Sequence, residues 1–190
     1  MPLEELSDEE LMNNIKDLPG ANNAVDREKY FKELYRRLFS QAYSFCRYYR
    51  LNHNDILDTI QETFIRVFNY SGSYKKGFAF KPWFFRILFN KINDIWKDKK
   101  LSSHENIEDS AESLGEESSQ IKFFHDRHVL DSMIYRLPKY LKDCLLLYVY
   151  QDLDFKAIGM TVGISPRHAR NRVDEAIREL KSIAGEFSEK

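Results

Sequence analysis

Four polar side chains recur at helical spacing along Trp83–Lys100, WFFRILFNKINDIWKDKK: Arg86, Asn90, Asn93 and Lys97, at i, i+4, i+7 and i+11. Cations suit phosphates, and carboxamides donate to and accept from base edges, so this stripe has the chemistry of a nucleic-acid contact. The alternative is the ordinary solvated face of a core helix. Just upstream, Tyr70–Lys81, YSGSYKKGFAFK, sets Tyr74, Phe78 and Phe80 beside Lys75 and Lys76. Aromatic rings next to cations make a surface that stacks unpaired bases; the alternative is a loop whose rings fold back onto the core. Along residues 55–69, DILDTIQETFIRVFN, Asp55, Asp58 and Glu62 share one face with Gln61 at its edge. That face reads either as plain solvated surface or as a docking site for a basic partner. In Asp154–Lys181, outward positions carry Arg167, His168, Asn171, Asp174, Glu175 and Arg178, with Arg170 and Arg172 at the flanks. A recognition helix presents such residues to the major groove. His125 and His128 stand at i, i+3, but no third ligand has suitable spacing and no HExxH, phosphate loop or nucleophile motif occurs. The expectation is a binding protein with no metal or cofactor, and not an enzyme.

Apart from the Tyr70–Lys81 loop, the elements that must carry these residues are helical. Ser7-Asp8-Glu9-Glu10 is a capping box opening a short helix to about Asp17, which Pro19-Gly20 ends. From Asp26 to about Arg50, Tyr30, Phe31, Leu34, Leu38, Ala42, Phe45 and Tyr49 repeat with helical period and leave Arg36, Arg37, Arg47 and Arg50 outside. Ile56, Leu57, Ile60, Phe64, Val67 and Phe68 form the buried stripe of the next helix. Pro82 suits the first turn of the Trp83–Lys100 helix, whose wide apolar arc includes Trp96; Lys91 sits within that arc and has to snorkel. Leu101–Gln120 is acidic and Ser-rich, without helical period, and reads as an extended tether. Beyond it, a helix bearing Phe124, His128, Met133 and Ile134 ends at Leu137-Pro138, and Tyr140–Gln151 is a core helix. A helix-turn-helix follows: Gly163 makes the turn, Ser165 caps, Pro166 starts the second helix, and Ala169, Val173, Ala176, Ile177 and Leu180 face inward.

The charge is distributed unevenly. Residues 1–20 hold six acids and one base, residues 21–101 sixteen bases and eight acids, and residues 102–120 six acids with no Lys or Arg. Residues 121–190 hold twelve bases and ten acids. Two basic segments around an acidic one suit two modules meeting a polyanion. No apolar run is long enough to span a bilayer and the acidic start is unlike a signal peptide, so a cytoplasmic location without membrane insertion is expected. Cys46 and Cys144 lack CxxC spacing and read as free buried thiols.

Together, DTIQETFIRVF (58–68), the Trp83–Trp96 block with Phe85, Arg86, Ile87, Asn90 and Asp94, and Leu137-Pro138 followed by Gly163-Ile164-Ser165 resemble bacterial RNA polymerase sigma factors of the small extracytoplasmic-function (ECF) type. The resemblance covers about Asp26–Lys181. It implies an all-α chain of two helical domains: a region 2-like bundle (1–101), an acidic linker (102–120) and a region 4-like helix-turn-helix domain (121–190). It implies that Asp58, Gln61 and Glu62 dock on core RNA polymerase. Tyr74, Lys75, Lys76, Phe78, Arg86, Asn90, Asn93, Asp94 and Lys97 would engage and open the −10 promoter DNA. Ser165, Arg167, His168, Arg170, Asn171, Arg172 and Arg178 would meet the −35 DNA, and the linker would imitate a transcript in the polymerase cleft. An anti-sigma factor is a further expected partner. The sequence departs from the family at Thr59, where Leu is usual, at Gly159, where Ala is common and Gly costs a helix up to about 1 kcal/mol, at His168-Ala169, and at Asp174 and Glu175, where bases are frequent. The alternative is a stand-alone helix-turn-helix regulator that needs no polymerase.

Overall fold

In the computed structural model, which describes residues 2–18, 24–102 and 130–188, Ser7 starts the first helix as its sequence demands. Its hydroxyl accepts the Glu10 N–H while the Glu10 carboxylate accepts the Ser7 N–H at 2.7 Å. Helix α1 spans Asp8–Asp17 and drives Leu11, Met12 and Ile15 into the core. Helix α2, Ala24–Arg47, lies against it, and α3, His53–Asn69, is capped by the Asn52 side chain. Helix α4 spans Phe80–Ser102, helical residues 130–136 form α5, and α6 (Lys139–Gln151), α7 (Phe155–Val162) and α8 (Pro166–Ser188) complete the chain. The described residues contain no strand.

Aromatic rings knit α2, α3 and α4 together. Phe31 meets Phe64 edge-on at 5.8 Å between centroids, Phe64 meets Phe84 at 5.0 Å, and Phe45 meets Phe85 at 5.4 Å. Such pairs add about 0.5–1.5 kcal/mol each beyond their burial. Thr59 and Thr63, both buried, donate their hydroxyls to the carbonyls four residues back, so neither is left unsatisfied.

The two halves pack against each other through hydroxyls and charges. Tyr49 donates to Asp143 at 2.8 Å, Tyr48 contacts both Asp131 and the Tyr150 hydroxyl, and Tyr135 donates to the Arg47 carbonyl. Lys139 bonds Asp143 on its own helix and reaches Asn93 on α4, while α7 lies along α4. Cys46 and Cys144, one from each half, are free thiols buried near this seam, as the sequence suggests. Buried Leu146, Ile158, Ala169 and Val173 join the same core as α1–α4.

Several expectations change. Arg37 is not an outer residue: it lies against Glu33 and Asp8 and donates to the carbonyls of Leu3, Glu4 and Leu6. Leu57 and Ile177 leave the buried stripes and stand 37% exposed, and Trp96 is 38% exposed. Helix α4 starts two residues before Pro82 and runs through Ser102, into the segment read as tether. Lys91 does not merely snorkel; its ammonium pairs with Glu62 at 2.5 Å. The Pro19-Gly20 stop, the acidic stretch from 103 to 120, and Phe124, His125 and His128 lie outside the described residues.

Glu33 yields a stability prediction. The Arg36 guanidinium hydrogen-bonds its carboxylate, Arg37 adds to the pull, and together they hold its pKa down at about 2 against burial. A depressed carboxylate stabilises fully above its ordinary value and loses that contribution as pH falls through its folded one. Glu33→Gln should therefore cost about 1–3 kcal/mol at neutral pH. It should also flatten the acid limb between pH 5 and 2, read by denaturant unfolding across pH.

Candidate nucleic-acid interface

Helix α4 keeps its stripe on the surface because Phe84, Phe85, Leu88 and Ile92 claim the opposite side for the core. Arg86, Asn90, Asp94 and Lys97 are exposed and Asn93 is half-buried. Asn90, Asn93, Asp94 and Lys97 line one open groove of about 620 Å³. The structure adds Arg66 from α3, Trp96 and Lys139 to that lining. Sequence periodicity passes over all three. Arg66 falls on the outward side of α3, Trp96 falls within the apolar arc, and Lys139 comes from the other half of the chain with no sequence signal. Lys139 donates to Asn93 Oδ1 at 2.9 Å, and Lys97 stands 3.6 Å from Asp94.

The loop before α4 divides its aromatics. Tyr74 and Phe80 are buried, 1% and 0% exposed, and pack on each other and on Trp83. Tyr74 donates its hydroxyl to the Phe78 carbonyl, and burial pushes its pKa up to about 12, so it stays protonated as a donor. Phe78 is 51% exposed, and Lys75 and Lys76 are exposed beside it. Gly77 takes φ 86°, the left-handed turn that lifts Phe78 outward. In this conformation Phe78 is the ring the loop exposes, and Tyr74 serves as its internal brace. A second cavity, of about 690 Å³, lies between the loop, Trp83 and Arg86 on one side and Lys156 and Met160 of α7 on the other. Arg86 thus joins the loop to the stripe.

The helix-turn-helix is formed as its sequence predicts. Asp154 caps α7, Gly163 turns at φ 79°, and the Ser165 hydroxyl accepts the His168 N–H. Ser165 also lies 3.1 Å from His168 Nδ1. Arg167, His168, Asn171 and Arg178 are exposed along α8. Arg170 is exposed at 3.9 Å from Asp174. Arg172 is half-buried with its guanidinium 5.4 Å over Tyr140, turned toward its own domain. Gly159 admits the turn: a Cβ there would lie 2.6 Å from the Ile164 carbonyl oxygen.

On α3, Asp58, Gln61 and Glu62 are exposed together, Glu62 holding Lys91. Two apolar neighbours that sequence reading does not assign to this face, Leu57 and Ile65, flank the carboxylates at 37% and 49% exposure. Among the described residues, no group of His, Cys, Asp and Glu is arranged to hold a metal, and no helix is long and apolar enough to cross a membrane.

Residues 34–101, which hold the polar α4 stripe and the braced aromatic loop, match the sigma-70 region 2 family. Over most of its length the chain is similar to ECF RNA polymerase sigma factors. It is 27% identical to SigE of Mycolicibacterium smegmatis across 97% of this chain and 72% of that protein, and 24% identical to SigM of Bacillus subtilis across 80% and 93%. Two solved structures share the fold at a TM-score of 0.68. One is CnrH in complex with the cytosolic domain of CnrY, 16% identical, covering 94% of this chain and 97% of that one. The other is RpoE of Bartonella quintana with the anti-sigma factor NepR, 18% identical, covering 83% and 98%. The chain thus carries a sigma-70 region 2 segment and is similar along most of its length to ECF sigma factors.

Proposed function

We propose that this chain is a sigma factor that directs promoter-specific initiation by binding core RNA polymerase through the α3 face, capturing −10 DNA with the loop and α4 stripe, and reading −35 DNA with α8. The observation that carries the reading is the division of labour on one chain. An acidic face flanked by apolar side chains, a cationic groove with an exposed ring, and a helix-turn-helix with exposed Arg167, His168 and Asn171 occupy separate elements. Phosphate neutralisation and base-edge contacts are the chemistry of the last two; charge complementarity is that of the first. Promoter melting exposes bases, and a stacked ring returns about 1–3 kcal/mol per base.

Run-off transcription with sigma-free core polymerase on a promoter library tests the whole reading; it fails if the added chain directs no start site. Within it, the braced loop predicts unequal roles. Phe78→Ala should slow open-complex formation about 10-fold or more with the fold unchanged. Tyr74→Phe, which keeps the buried ring and removes only the brace, should slow it less. Equal rates for Phe78→Ala and wild type, read by permanganate footprinting, would remove Phe78 from the role. Sequestration by an inhibitory protein belongs to the same proposal, since both solved relatives named above were captured with partner proteins. A stand-alone regulator would instead bind a specific duplex tightly without polymerase.

A further inference from the structure

Helix α1 has no part in the functions proposed so far, yet it makes polar contacts with the start, middle and end of the promoter-facing loop. Glu9 Oε1 accepts the Phe80 N–H at 2.8 Å. Lys16 Nζ donates to the Tyr74 carbonyl at 2.6 Å. Asp17 pairs with Lys76 at 2.6 Å. The Phe80 amide is one of those that the start of α4 leaves without an intrahelical partner, and a carboxylate there also suits the helix dipole. These contacts cross 71, 58 and 59 residues of sequence. They are long-range tethers, not the local caps of a turn.

The bracket is itself rigid. Leu11, Met12 and Ile15 are at most 1% exposed, the capping box closes the start of α1, and Arg37 grips the backbone carbonyls of Leu3, Glu4 and Leu6. Within the loop, Tyr74 bonds the Phe78 carbonyl and the Phe78 N–H bonds the Lys75 carbonyl at 3.3 Å. The tip is thus fixed at its base by α1 and inside by its own bonds, while the Phe78 ring remains open to solvent. The Asp17–Lys76 pair is solvent-exposed and adds little. Glu9 and Lys16 carry the bracing.

We propose that Glu9 and Lys16 of α1 are positioning residues for promoter capture: they hold the Tyr74–Phe80 loop in the conformation that presents Phe78, so the loop is ordered before DNA arrives. This rests on the reading that the loop engages −10 DNA. A loop ordered in advance loses less entropy on binding, and that saving is released when the tethers are cut.

The test compares the full chain carrying Glu9→Ala with Lys16→Met against Glu9→Gln with Lys16→Arg, which keeps an acceptor and a donor at the same places. Each is assembled with core polymerase and titrated with a promoter selected by wild-type holoenzyme, pre-melted across its −10 element. Amide hydrogen exchange of residues 75–80 is read in parallel on the free chains. The first pair should speed exchange of these amides about five-fold or more. It should weaken pre-melted promoter binding about ten-fold with core binding unchanged. The conservative pair should stay within about two-fold of wild type in both. Faster exchange with unchanged promoter affinity overturns the proposal, and so does unchanged exchange. If the first pair loses core binding through misfolding, Lys16→Met alone, which removes one half-buried donor, decides by the same two readouts. If wild-type holoenzyme itself ignores pre-melted DNA, the promoter reading fails, while the exchange measurement still decides whether α1 braces the loop.

Discussion

Asp58→Lys combined with Glu62→Lys should abolish binding to core RNA polymerase, a loss of about 100-fold or more, while the helices stay folded. Both carboxylates project from α3 into solvent, whereas Ile56, Ile60, Phe64 and Val67 hold the helix from the other side. The double substitution breaks the ion pair between Glu62 and Lys91, in which Glu62 is half exposed. Lys91 is the more buried partner, 19% exposed, so losing the pair costs some local stability, which the melt reads separately from binding. Adding Lys91→Glu restores the internal pair with inverted polarity and should not restore polymerase binding, which separates docking from local stability. Fluorescence anisotropy of the labelled chain against core enzyme, alongside a thermal melt, measures both. Retained binding would make the face ordinary solvated surface.

Gly159→Ala should destabilise the helix-turn-helix and cut −35-dependent promoter binding more than about ten-fold, with polymerase binding kept. A methyl at this position meets the Ile164 carbonyl oxygen at 2.6 Å and the backbone of Ser165 and Pro166 at 3.3 Å. None of these atoms can rotate away, so α7 must separate from the turn that aims α8. Overpacking of this kind costs about 1–3 kcal/mol, against up to about 1 kcal/mol regained in helix propensity. The net loss should lower the melting temperature by several degrees. Helix propensity alone predicts the opposite sign. A more stable Gly159→Ala protein would show that the turn can yield.

That reversal shows where sequence reading stops. The helices, the capping box at Ser7, the Gly163 turn and the Ser165 cap are legible because each is a local pattern with a local cause. The close approach at Gly159 is not, since it depends on how two successive elements meet. Periodicity locates the centre of each buried stripe but not its width, so it turns Leu57, Trp96 and Ile177 inward although no neighbouring helix covers them fully. Tyr74 and Phe78 look alike in the sequence. One is buried and the other presented, a difference set by a hydroxyl-to-carbonyl bond and a left-handed glycine between them. The pairing of Lys91 with Glu62, of Tyr49 with Asp143 and of Lys139 with Asn93 joins side chains far apart in the chain, and no spacing rule announces it.

The two cysteines at the seam have a practical consequence. Burial pushes the Cys46 thiol up to about 12 and raises Cys144 as well, so neither offers a thiolate to an alkylating reagent while the halves stay together. Alkylation of either sulfur therefore requires an opening of the structure that uncovers it. Their labelling speed then becomes a built-in clock for how often, and in whose company, the molecule comes apart.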